Sequence, residues 1–302
     1  MVCGFGLTPG YPEATGRHYR FMLEGLRETQ AALADRGIPL VCRLGSPDEV
    51  ALDLAQPASI LVTDRGYTRT QKQWRRTVAE RAECPVIQVE SDVIVPVGTV
   101  SDKEQYAART IRPRIHALLP DYLTPLHPTE PRREGPALET LDLLDVDAAL
   151  RRLGLQDDAR QVFHGGTSQA HALLSDFISH RLDRYDDLRN DPSLDYVSHM
   201  SPYLHFGQIS PLTIALEVLA ADSPGEEAFL EELIVRRELS MNFVEYNPGY
   251  DRFENLPDWT QATLSAHADD PREYVYAEEQ LQWAQTHDPY WNAAQRDMLL
   301  TA

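Results

Sequence analysis

The chain has 302 residues, with 28 Lys and Arg against 47 Asp and Glu, and so carries a formal charge of −19. That length predicts about two domains of ordinary size. The charge excludes a broad basic surface, so any nucleic-acid contact must be a local patch of arginines, Lys72 and Lys103 being the only lysines. No window approaches the ~18 consecutive apolar residues of a membrane span. The N-terminal stretch does not run basic, apolar, cleavage site in the order of a secretory signal. Cys3, Cys42 and Cys84 are widely spaced and include no CxxC pair, which argues against a disulfide framework or a structural zinc. No HxH or HExxH spacing suggests any other metal. A reduced, cytoplasmic protein is expected.

From residue 1 to about 124, short apolar runs alternate with amphipathic stretches. Strands are predicted from Met1 or Val2, over 39–44 (PLVCRL), 60–64 (ILVTD) and 86–90 (VIQVE), with a helix from about Arg17 to Asp35. Strand, helix, strand at these intervals predicts a parallel sheet flanked by helices. The segment 124–136 (TPLHPTEPRREGP) carries four prolines, a density no helix or central strand tolerates, and is read as a linker. From about Ala137 to the end, Leu, Ala, Glu and Arg at helical spacing predict a mainly α region. It is broken at Gly165–Gly166, Asn190–Pro192, Ser223–Gly225 and Asn247–Gly249.

Two features near these elements draw attention. Gly4, Gly6 and Gly10 resemble a damaged dinucleotide-binding fingerprint, but the third glycine is one position late and no acidic residue follows at a suitable strand end. A strand-to-loop turn using glycine's permissive backbone accounts for them more simply. Ser198 and Ser201 precede Pro202 and an amphipathic run. Serine at a cap and proline at the first helical position describe an ordinary capped helix, and equally a set of free N–H groups that suits an anion.

Longer strings carry a resemblance. GGTSQAHALLSDFISHRLDRYDDLRNDPSLDYVSHMSPYLHFGQIS (165–210), FLEELIVRRELSMNFVEYNPGYD (229–251) and THDPYWNAAQ (286–295) resemble the flavin domain of class II cyclobutane-pyrimidine-dimer photolyases. RHYRFMLEGL (17–26), VTDRGYTRTQKQW (62–74) and SDKEQYAARTIRPRIH (101–116) resemble the antenna domain of the same class. The resemblance implies a Rossmann-like α/β antenna domain (1–124) that lacks the family's first strand. A linker (125–136) and an all-α flavin domain (137–302) that stops before the family's last helices would follow. It also implies bound FAD, reduced for catalysis, and a second antenna chromophore of unspecified identity. The implied partner is UV-damaged DNA, met by a monomer away from membranes, and the implied reaction is light-driven splitting of the dimer by an electron from the excited flavin.

Carried over residue by residue, the resemblance makes Tyr185 a flavin contact with Arg189 near it. Ser198, His199, Met200 and Ser201 become the loop that holds the cofactor's phosphates, His199 and Met200 departing from the family's usual residues. Glu232 becomes the catalytic, substrate-contacting glutamate, which serves best if burial keeps it protonated. Arg236, on the same helical face, and Asn242 and Trp291 are further candidates for substrate or DNA contact. On their own residues, Glu232 and Arg236 are also an ordinary i, i+4 surface pair, Trp291 a core residue, and Asn242 a local cap. Tyr203, Leu204 and Phe206 read as packing. Arg132, Arg133, Arg236 and Arg237 are expected to form a basic strip toward phosphates. The lesion would reach a buried flavin only by flipping out of the duplex. A chain shortened at both ends is expected to bind flavin poorly. This leaves as alternatives a cryptochrome-like binding protein, an inactive fragment and, more remotely, a nicotinamide-dependent dehydrogenase.

Overall fold

β1 (Cys3–Leu7) and β2 (Leu40–Leu44) pair in parallel, with Cys3 opposite Leu40 and Leu7 opposite Leu44. Between them runs α1 (Gly16–Ala34), the crossover that a parallel pair requires. β2 leads through α2 (Pro47–Ala55) to β3 (Leu61–Asp64), and α3 (Arg69–Arg81) connects β3 to its parallel partner β4 (Val86–Val89). The computed structural model describes residues 1–127, 129–156 and 161–301. Among these the four expected strands form two separate two-stranded sheets, not one. Ile60, Val62, Ile87 and Val89 consequently keep large exposed apolar surfaces, unlike strands in the middle of a parallel sheet.

Gly4 and Gly6 lie inside β1 and not in the turn expected for them. A Cβ on Gly6 would come within 2.6 Å of the Pro47 Cα, and one on Gly4 within 2.5 Å of a Leu54 methyl. Their function is close approach of α2 to the strand, a packing demand that imitates a nucleotide fingerprint.

After the short helix α4 (Val97–Val100) and α5 (Ala108–Tyr122), residues 124–136 contain neither helix nor strand among those described. The chain then returns along β2, where Leu141 N–H donates to Cys42 O at 2.8 Å and Cys42 N–H to Thr140 Oγ1 at 2.9 Å. With α6 (Val146–Arg152) it closes a core of Leu7, Leu23, Cys42, Leu143, Ala149 and Leu150.

The helices that follow are α7 (Thr167–His180), α8 (Tyr185–Leu188), α9 (Ser201–His205), α10 (Pro211–Ala220) and α11 (Glu226–Leu230). α11 runs through a π-helical stretch, Glu231–Arg236, into α12 (Arg237–Tyr246). Residues 1–156 and 164–248 make one compact unit, joined at two seams. At the first, α1 caps α7: Glu28 Oε1 accepts from Ser168 N–H at 2.8 Å and Glu24 from Gly165 N–H at 2.8 Å. Gly165 has no room for a side chain, because a Cβ there would collide with Phe21 O. At the second seam, α12 turns polar residues onto the loop between β4 and α5. Glu238 Oε1 accepts from Ile94 and Val95 N–H, Asn242 pairs with Gln105 N–H and Lys103 O, and the Tyr246 hydroxyl donates to Ser101 O at 2.6 Å.

A second compact unit comprises 157–163 and 249–302. It holds α13 (Asp258–Ala266), α14 (Glu278–Gln282) and α15 (Pro289–Thr301). Its fixed point is Asn292, whose side chain accepts from Thr286 N–H at 2.9 Å and donates to Thr286 O at 2.8 Å. No helix among the described residues is long and apolar enough to cross a membrane.

Burial pushes the Glu238 carboxyl from its ordinary 4.5 up to about 7, against its two backbone donors and Arg237. The folded chain therefore holds a proton that the unfolded chain releases between these values. This group's contribution to stability is fully present below pH 4.5 and is lost as pH rises through 7, about 3 kcal/mol in all. Glu238→Gln lacks the titration. Its stability relative to the parent, from urea midpoints, is expected to improve by that amount between pH 4.5 and pH 8; a constant difference would exclude the effect. Gly165→Ala is expected to cost about 1–3 kcal/mol through overpacking, read from the same denaturation curves at one pH.

Candidate active site

The site is built where α8 meets the π-helical stretch. Tyr185 opens α8 and is buried, its ring set edge-on against Phe177 at 5.7 Å and Phe229 at 5.4 Å. Burial raises its hydroxyl above the usual range. One turn later the Arg189 guanidinium lies 5.4 Å over the Tyr185 ring and donates through Nη1 to Glu232 Oε1 at 2.8 Å. Arg189 Nε is buried without a hydrogen-bond partner among the described residues.

Glu231 and Glu232 are adjacent but have different partners. Glu232 reaches Arg189, while Glu231 accepts from Arg112 of α5 at 3.0 and 2.6 Å and from Arg236 Nε at 3.0 Å. The hydrogen bond from Arg112 is the main reason the Glu231 carboxyl lies below its ordinary range, with Arg236 adding to it. The i→i+5 pattern belongs to a class of helix irregularity found often at functional positions. The burial expected to keep Glu232 protonated is not found: its side chain is 42% exposed and ion-paired. Arg236 pairs with Glu231, one position earlier, and not with Glu232 as the i, i+4 spacing suggested, because the π-helical stretch changes which side chains face each other.

The stretch 198–201 leads into the first residue of α9. Met200 is buried, with its N–H 3.4 Å from Ser198 Oγ. His199 takes a left-handed backbone (φ +55°), rare for a residue with a side chain, and its Nε2 lies 2.7 Å from Asp195 Oδ1. Ser201 stands inside the helix with Pro202, Met200 taking the N-cap place, so the expected serine cap is absent. Tyr203 and Phe206 pack on Phe21, at 5.1 and 5.4 Å, and the Tyr203 hydroxyl donates to His164 O.

Other candidates have partners of their own. Asn242 is buried and spends its amide on Gln105 and Lys103, so it holds the α12 seam and does not line the site. Arg237 is committed to Asp92 O, with burial lowering its pKa, and cannot belong to an exposed basic strip. Arg132 and Arg133 are exposed in the proline-rich segment. Trp291 belongs to α15 of the second unit, 39% exposed, its N–H 3.2 Å from Asp288 Oδ1. Arg112 and Glu231 were not singled out by sequence; the run of arginines in ARTIRPRIH was the available signal.

The DNA photolyase family profile matches residues 1–133. A deoxyribodipyrimidine photo-lyase of Methanothermobacter thermautotrophicus is 47% identical over 305 aligned residues, covering 100% of this chain and 67% of that protein. The chain belongs to the photolyase family. A second relative, the deoxyribodipyrimidine photo-lyase of Potorous tridactylus, is 40% identical over 97% of this chain and 57% of its own length. The fold is likewise that of photolyases and cryptochromes. A class III photolyase from Agrobacterium tumefaciens superposes with a TM-score of 0.70 and a Synechocystis cryptochrome with 0.73, each at 17% identity over 99% of this chain and 63 and 65% of those chains. The photolyase-family chain thus spans about two thirds or less of the length of these relatives.

The charge arrangement around Glu231 gives a direct test. Arg112→Ala is expected to return the Glu231 carboxyl toward its ordinary range, seen as an upward shift of its carboxyl titration by NMR. An unchanged titration would show that Arg236 suffices.

Proposed function

We propose that the chain carries the flavin and lesion site of a class II cyclobutane-pyrimidine-dimer photolyase, and that its reaction is light-driven splitting of dimers in DNA. The observation that carries this reading is the constellation Tyr185, Arg189 and Glu232, in which a buried aromatic ring, a cation and a half-exposed carboxylate meet on two elements.

The residues present fit FAD. Arg189 offers a buried N–H without a partner among the described residues, a donor that suits an anionic group. Ser198 and Ser201 supply hydroxyls next to the N-terminal turn of α9, the donor set a diphosphate requires. Tyr185, Arg189 and the loop Ser198, His199, Met200 and Ser201 would hold it. When bound, FAD supplies the excited electron that opens the cyclobutane ring. Glu232 meets the bases of a flipped-out dimer, Arg189 fixing Oε1 and so orienting the other carboxyl oxygen. Held in this way, the carboxylate would accept from base N–H groups of the dimer and so position it. Arg236, exposed beside it, would meet a lesion-flanking phosphate. A lesion already distorted in the duplex flips at lower cost, which supplies selectivity without base-specific contacts.

Binding of duplex oligonucleotides with and without one thymine dimer tests the reading. The dimer-containing duplex is expected to bind at least about tenfold more tightly, the value of one hydrogen bond to a charged group. Glu232→Ala is expected to abolish that preference while leaving affinity for undamaged DNA unchanged. Illumination with added FAD and reductant should restore the dimer to thymines. Equal affinity for both duplexes together with no light-dependent repair would overturn the reading.

A further inference from the structure

Helix α5 carries a pattern that neither its core packing nor the lesion site explains. Ile111 and Ile115 are buried and anchor one side of the helix. On another side, Arg109, Arg112 and His116 follow one another at spacings of three and four residues and so form one stripe. The sixteen residues 105–120 contain three arginines and a histidine but no Asp or Glu, in a chain with 47 acidic residues. Arg109 is exposed, its guanidinium 5.5 Å from the ring centroid of Tyr106, and Tyr106 itself is 72% exposed.

The position of the stripe gives it meaning. α5 packs along the π-helical stretch, and Arg112 grips Glu231, the neighbour of Glu232. With Arg112 neutralised by Glu231, the part of the stripe without a carboxylate partner among the described residues begins one turn away, at Arg109, which donates to the Tyr106 hydroxyl at 3.3 Å. From Arg109 to His116 the helix rises about 10 Å, the axial rise of about three base steps. An exposed tyrosine under an arginine offers a ring face and a guanidinium together, the pairing that suits a nucleotide chain. A acidic protein segment could satisfy the cations but gives no reason for the exposed ring.

We propose that Tyr106, Arg109 and His116 of α5 form a nucleic-acid backbone contact that continues from the lesion site onto the α/β part of the chain. The proposal rests on the DNA reading above and extends it to residues outside the flavin-bearing helices. The stripe is a positioning surface: it binds phosphates without distinguishing damaged from undamaged DNA.

The test is fluorescence anisotropy with a duplex, undamaged or containing one dimer, across 50 to about 200 mM salt. Arg109→Gln is expected to weaken both duplexes several-fold by the same factor, to reduce the slope of log affinity against log salt by about 1, and to leave the dimer preference intact. Tyr106→Ala should weaken both duplexes with no change in slope. Both side chains are exposed, and unchanged thermal unfolding confirms that the variants fold. Parent-like affinity and slope in both variants would overturn the stripe while leaving the lesion site standing. Loss of the dimer preference in Arg109→Gln would also overturn it, by moving Arg109 into the lesion pocket. Failure of the parent chain to bind either duplex would remove the DNA reading and the stripe together.

Discussion

The polar face of α12 is the constraint on which the candidate site depends. Glu238, Asn242 and Tyr246 lie four residues apart along one side of the helix, and each satisfies backbone groups of the segment 94–105. Glu245 extends the contact to Arg65 and Lys72, and Lys72 also donates to the carbonyls of Val244 and Glu245 near the helix end. Buried backbone groups left without partners cost several kcal/mol, so the register of α12 against the loop is defined to within a residue. A slip of one position would orphan the whole set. Because α12 continues directly from the π-helical stretch, the same register determines where Glu231 and Glu232 point.

That stretch resolves a conflict between two demands on adjacent acids. In a regular helix, Glu231 and Glu232 would project about 100° apart and Arg236 would sit over Glu232. Here Arg236 turns to Glu231, which α5 also holds through Arg112, and Glu232 pairs with Arg189. One acid therefore ties the helix to the α/β part and the other remains half exposed at the site. The exposed pairs add little stability, since their charges are solvated; their value is orientation.

Much of this architecture was legible in the residues, because apolar periodicity survives any context. The strands at 40–44, 61–64 and 86–89 and the helix at 16–34 fall where alternation and helical spacing predict them. What was not legible were demands made by distant partners. Gly6 looks like part of a phosphate-binding turn until Pro47 is seen above it, and Gly165 looks like a simple break until Phe21 is seen behind it. Asn242 and Arg237, read as facing ligand or phosphate, are consumed by the α12 seam, and only a polar stripe on an otherwise amphipathic helix hinted at that. Likewise the i, i+4 relation of Glu232 and Arg236 presumed a regular helix, which a π-helical stretch invalidates.

The charge of −19 takes on a different sense once the cations are located. Of 28 basic residues 26 are arginine, and in the parts that matter most they are spent on specific carboxylates: Arg65 on Glu245, Arg112 and Arg236 on Glu231, Arg189 on Glu232. Arginine's planar fork grips a carboxylate at two points and holds a side chain in place, where lysine would supply a point charge. An acidic chain also repels nucleic acid at long range, and that repulsion falls off within a Debye length of about 8 Å at physiological salt, and about 3 Å at 1 M. In a salt-rich medium the net charge would thus cease to oppose the proposed DNA partner at distance, leaving the outcome to contacts at close range. On the proposed reading, a chain that is acidic overall but presents Arg109 on α5 and Arg236 near Glu232 would favour local contact over indiscriminate adhesion.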